Sequence, residues 1–155
     1  MRMYKTVGRF LKIGTLLSTT GLIVTVSLQI FARFFLPYAP SWTEEASRLF
    51  FIYAISFAAG LALKTHYYVH LDMFYNSFPS KVKKAVDLMV PVITFLLFAI
   101  MIVFTVELIV LGLPEKSPSL GFPMAFAFFS MFIMSASICF YAWGHIQRQL
   151  ENRKG

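Results

Sequence analysis

The chain has 155 residues, 58% of them hydrophobic and 14% charged, with a mean hydropathy of +0.70 and a formal net charge of +7. A water-soluble domain carries about 25% charged residues, so this composition excludes an ordinary soluble domain. The basic excess could suggest nucleic acid, but it is scattered over chain ends and one connection, and the single Cys139 allows neither an internal disulfide nor a cysteine metal cluster.

Four apolar stretches follow in order, at 13–36, 49–63, 88–113 and 120–143. A helix needs about 20 residues to cross a bilayer. Three stretches suffice alone, and the second does so when extended from Trp42 to Lys64. The expected fold is an all-α membrane protein forming a single integral domain, with four transmembrane helices at about 10–36, 42–65, 79–113 and 119–147. The first stretch exceeds a typical signal-peptide core and contains Gln29 and Arg33, so it reads as a retained helix. Arg2, Lys5, Arg9 and Lys12 precede it. Lys64, Lys81, Lys83 and Lys84 lie between the second and third helices, and Arg148, Arg153 and Lys154 close the chain. The other connections hold Lys116 and, just inside the following helix, Arg48. The positive-inside rule therefore places both termini in the cytoplasm.

In the first helix Gly14, Ser18, Gly21, Thr25 and Ala32 recur in steps of three and four, with Leu28 filling the series. The second repeats the pattern with Ala54, Ala58 and Ala62, and Ser56 and Gly60 alongside. Small residues let helices approach closely where lipid gives no hydrophobic drive. The second helix opens on PSWTEEASRLF, residues 40–50. Ser41 and Glu44 match a capping box, Trp42 suits the interface, and Arg48 stands at pairing distance from Glu44 and Glu45. Residues 66–78, with His70 and Asp72, mix aromatic and polar types as a short interfacial helix does. Lys81, Lys83 and Lys84 beyond it suit anionic headgroups, and Pro91 is expected to kink the third helix. The connection LPEKSPSLGFP, residues 113–123, reads as a compact turn. The fourth helix is dense in Phe and Met, which suits lipid or a partner equally.

Arg33, Arg48 and Glu107 share the outer layer of the membrane with Glu45. A charge at mid-membrane costs roughly 2.5–3.5 kcal/mol, and less nearer the interface. The expectation is a structural cluster of Arg33, Glu45, Arg48 and Glu107 joining helices one to three; the alternative is separate snorkelling of the arginines. None of these charges lies at the midplane where a proton or ion path would need it. His66, His70 and His145 fall at the inner ends, badly placed for haem ligation. No nucleophile–base set stands out, and no internal repeat suggests a freestanding transporter. The chain is therefore expected not to be an enzyme.

Arg33, SWTEEASRLF at 41–50, FAAG at 57–60, and HLD at 70–72 before Phe78-Pro79 follow in one order. In this, and in length and helix count, the chain resembles the Q-type (DctQ-like) small membrane subunit of tripartite ATP-independent periplasmic (TRAP) transporters. LKTHYYVHLD at 63–72 departs from the pattern in having Lys64 but no second basic residue before His70. The resemblance implies a bacterial inner-membrane location, a large transport subunit as partner and an extracytoplasmic substrate-binding protein. It implies sodium-coupled organic-acid uptake, with sodium at the large subunit and no cofactor in this chain. Trp42, Glu44 and Glu45 would then belong to a docking surface at the outer interface, and Lys64, His70, Asp72, Lys81, Lys83 and Lys84 to the cytoplasmic one. The small subunit of a tripartite tricarboxylate transporter and a respiratory membrane anchor remain alternative classes.

Overall fold

The computed structural model describes residues 2–36, 40–65 and 80–154. Within them run α1 (Arg2–Phe35), α2 (Ser41–Thr65), α3 (Ser80–Leu111) and α4 (Ala125–Lys154). Each holds a stretch long and apolar enough to cross a membrane: Met3–Phe35, Ser41–Lys64, Ala85–Leu111 and Ala125–Glu151. Even α2, with 25 residues, reaches about 37 Å against a hydrocarbon core of about 30 Å. The expected interfacial helix at 66–78 lies outside the described residues.

The helices pack as a row in the order α1, α2, α4, α3. Chain order and packing order differ because α4 returns past α3 to dock on α2. The small face of α1 meets α2 as the spacing predicts. The face of Gly14 receives the Phe57 ring and that of Gly21 the Phe50 ring, each at about 2.8 Å from where a side-chain carbon would stand. Ser18, Thr25 and Ala32 are buried on the same side. On α2 the close approach uses Ser56 and Gly60 instead of the alanine row, since Ala62 is exposed. Gly60 faces Ser137 of α4 and Leu11 of α1. The core gathers where these three helices meet, at Leu11, Phe57 and Tyr141.

Helix α4 is the central strut, with Ser130, Ser135, Ser137, Ala142 and Tyr141 all buried. The span of α3 is 6% buried within the chain, against 44% for α4. Helix α3 continues unbroken through the buried Pro91. Tyr4 packs on Phe140 and Tyr141 at ring separations of 5.0 and 5.4 Å. The start of α1 and the last third of α4 therefore share one end of the bundle, here called the inner end.

Five of the hydroxyl groups within the spans are satisfied by their own helices. Thr15, Thr25, Ser56, Thr94 and Thr105 each donate to the carbonyl four residues back, at 2.6–2.9 Å. Such bonds meet the lipid requirement that every polar group find an internal partner.

Candidate functional site

The chemistry of this chain is concentrated at the two ends of the bundle. No Asp, Glu, Lys, Arg or His occurs in residues 13–32, 49–63, 88–106 or 117–144. Among the described residues no group of three His, Cys, Asp or Glu side chains could hold a metal.

At the outer end, α2 starts differently from the expected capping box. Ser41 is already helical, and the Pro40 carbonyl accepts from both the Thr43 amide, at 3.2 Å, and its hydroxyl, at 2.7 Å. The Thr43 side chain is fully buried, and its donated bond ties the first turn back to Pro40 without capping a free amide.

Glu45 reaches sideways to the connection between α3 and α4. Its carboxylate accepts from the Ser117 hydroxyl, the Ser119 amide at 3.1 Å and the Leu120 amide at 2.8 Å. The connection is itself a closed unit. Ser117 donates to Phe122 at 2.9 Å, Met124 to Glu115 at 2.8 Å, and Ala125 to Gly112 at 3.1 Å. Lys116 and Pro123 form an isolated antiparallel bridge, and Gly121 turns the chain at φ 72°. This is the compact turn read from 113–123. It delays the start of α4 to Ala125, where the sequence suggested 119, because Gly121 and Pro123 serve the turn.

The expected cluster of Arg33, Glu45, Arg48 and Glu107 is not formed within this chain. Glu45 is committed to the 117–120 backbone. Arg48 lies 4.0 Å from Glu44, with both side chains at least 70% exposed. Arg33, in the last turn of α1, and Glu107 on α3 are exposed and make no ion pair among the described residues. Packing order keeps Glu107 from Arg33 and Arg48, since α4 stands between α3 and the other two helices. Trp42, in the first turn of α2, is exposed.

At the inner end Lys64 is exposed in the last turn of α2. Lys83 is half-buried on α3 and has a polar partner. The backbones of Lys81 and Lys84 lie in α3, their side chains outside the described residues, as are His70 and Asp72.

Between the ends, two apolar grooves run along one face. One, of about 490 Å³, lies over Phe10, Gly14, Leu17, Phe50, Tyr53 and Phe126. The other, of about 390 Å³, lies between Phe10 and Leu11 of α1 and Phe129, Phe132 and Phe140 of α4. Tyr53 donates to the Phe126 carbonyl at 2.7 Å, tying α2 to the start of α4 at the groove edge. Sequence reasoning missed this bond and the partners of Glu45. A signal for the latter existed: a Pro- and Gly-rich turn leaves amides unpaired, and the second of two adjacent carboxylates was free to take them.

The family model for the DctQ component of tripartite ATP-independent periplasmic transporters matches residues 22–152. A Haemophilus influenzae protein named as a TRAP transporter small permease protein is 29% identical over 128 residues, which is 80% of this chain and 77% of that one.

Proposed function

The chain belongs to the DctQ family, the DctQ component of tripartite ATP-independent periplasmic transporters, and from that premise we propose that it braces a large transport subunit and offers a docking surface to an extracytoplasmic binding protein. It is a multi-pass inner-membrane transport component and not an enzyme. In the proposed assembly the large subunit carries out sodium-coupled organic-acid uptake. The inner end faces the cytoplasm, in keeping with its lysines and arginines.

One observation carries the bracing role: the middle of every helix lacks ionisable groups, while its open face is an apolar groove. Such a surface packs against other helices and gives no route to an ion. Arg33 and Glu107 fit the same reading. They are exposed charges near the outer ends of opposite flanks, and Glu107 has too short a stem to snorkel far. A polar group on the large subunit is their natural complement. At the outer end, Glu45 joins the start of α2 to the 117–120 turn, so that Trp42, Glu44 and the turn form one platform for docking.

The test is reconstitution with and without the large subunit. Vesicles holding this chain alone should accumulate no organic acid, and solute uptake by them overturns the reading. A photo-crosslinking residue at Leu17 on the groove rim should capture the large subunit, and Glu107→Gln should lower the yield of co-purified complex. An unchanged yield together with no crosslink from Leu17 refutes the bracing surface.

A further inference from the structure

A cavity of about 250 Å³ lies at the inner end, lined by Tyr4 and Lys5 of α1, Lys64 of α2, and Tyr141, His145 and Arg148 of α4. That is several times the roughly 30 Å³ share of one water molecule. Tyr141, His145 and Arg148 follow at i, i+4 and i+7, so one face of α4 supplies half of the lining. Glycines shape the site: Gly144 leaves its backbone bare beneath the Tyr4 hydroxyl, and Gly8 does the same beneath the Lys64 ammonium. A side-chain carbon at either position would occupy the space those groups use. The Arg148 guanidinium stands 5.4 Å from the centre of the Tyr4 ring.

Two features of the described residues point to an anionic occupant. Tyr141 is 0% exposed, yet its hydroxyl has no hydrogen-bond partner among the described residues, and the buried Tyr4 hydroxyl has none either. A buried polar group without a partner forfeits its bonds to water, so native structures rarely keep one. In addition, Lys5, Lys64 and Arg148 bring three positive charges, and no acid lines the cavity among the described residues. Glu151, three residues beyond Arg148, pairs with none of them. Asp87 is on α3, which packs chiefly against α4 and does not line the cavity. His145 is hydrogen-bonded to the Leu63 backbone.

We propose that this cavity binds a phosphate-bearing anion, with Lys5, Lys64 and Arg148 supplying charge and the Tyr4 and Tyr141 hydroxyls donating to its oxygens. A phosphate group meets each requirement, with at least one negative charge and several acceptor oxygens. The same chemistry is presented by the headgroup of an anionic phospholipid and by free phosphate. Bound there, it would pin the first turns of α1, the end of α2 and the last third of α4 together.

The experiment uses the full-length chain in phosphatidylcholine nanodiscs, with phosphatidylglycerol doped in or inorganic phosphate added, read by native mass spectrometry and thermal midpoint. Phosphatidylglycerol should be retained about tenfold over phosphatidylcholine. Lys64→Gln and Arg148→Gln should each lower that retention roughly fivefold, the worth of one cation near an anionic headgroup. Tyr141→Phe, which keeps the ring, should lower it while the protein stays folded. Stabilisation by millimolar phosphate in undoped discs, absent with chloride at matched ionic strength, would assign the site to free phosphate instead of lipid. The proposal is overturned if neither anion is selected. It is also overturned if Lys12→Gln, a cation at the same end outside the cavity, lowers retention as much as Lys64→Gln.

Discussion

Placing a valine at Gly60 tests the packing order directly. The Gly60 backbone is where α2, α4 and α1 come closest. A side-chain carbon there would stand 2.7 Å from the Ser137 Cβ and 2.9 Å from the Leu11 methyl. Ordinary contact begins near 3.4 Å, so α2 and α4 must separate by about 0.7 Å to admit even one methyl group. The leucine can rotate away, but the Ser137 Cβ is fixed to its own helix. Overpacking of this kind costs about 1–3 kcal/mol. Alanine also recovers about 1 kcal/mol of helix propensity, which offsets much of its smaller clash. We therefore expect Gly60→Ala to lose about 1 kcal/mol and Gly60→Val about 2–3 kcal/mol, toward the upper end of that range. In lipid the loss is not softened by a hydrophobic drive toward reassociation. Reversible unfolding in mild detergent measures it, with Ala62→Val on the exposed side of α2 as the control. Equal stability of Gly60→Val and Ala62→Val would refute the close α2–α4 approach.

Three further outcomes follow from the outer end. Glu45→Ala should speed hydrogen exchange at the Ser119 and Leu120 amides while leaving the middle of α4 protected; mass spectrometry of exchanged peptides reads both. Gly121→Ala should cost about 1–2 kcal/mol from left-handed backbone strain alone, since nothing lies within 4 Å of the added carbon; thermal unfolding beside Ser119→Ala separates this from loss of a side chain. Glu44→Lys should weaken binding-protein docking and uptake without loss of complex, and the difference should shrink with added salt. Titrations at two ionic strengths measure it, and unaltered affinity excludes Glu44 from the docking surface.

The four spans were legible because hydropathy is a local property, and Gly14 and Gly21 marked a real contact because step size alone places them on one face. The ion cluster failed for a reason the sequence does not carry. Arg33, Arg48 and Glu107 share a depth, but depth says nothing about which helix stands beside which. Only the order α1, α2, α4, α3 reveals that Arg33 and Glu107 lie on opposite flanks. Glu45 was read as a partner for arginines, yet it bonds to two backbone amides and a serine hydroxyl, groups that any turn can offer. The inner cavity was hidden likewise, because Tyr4, Lys64 and Tyr141 are far apart in sequence and meet only across Gly8 and Gly144.

The docking of α4 on α2 past α3 also sets a schedule for biogenesis. When α2 has left the ribosome, the seat formed by Ser56 and Gly60 has no occupant. About 75 more residues must be made before Ser137 can fill it. At roughly 5–20 residues per second, that interval lasts on the order of 4–15 s. During that time the insertion machinery, or a helix of another nascent protein, has first access to that notch.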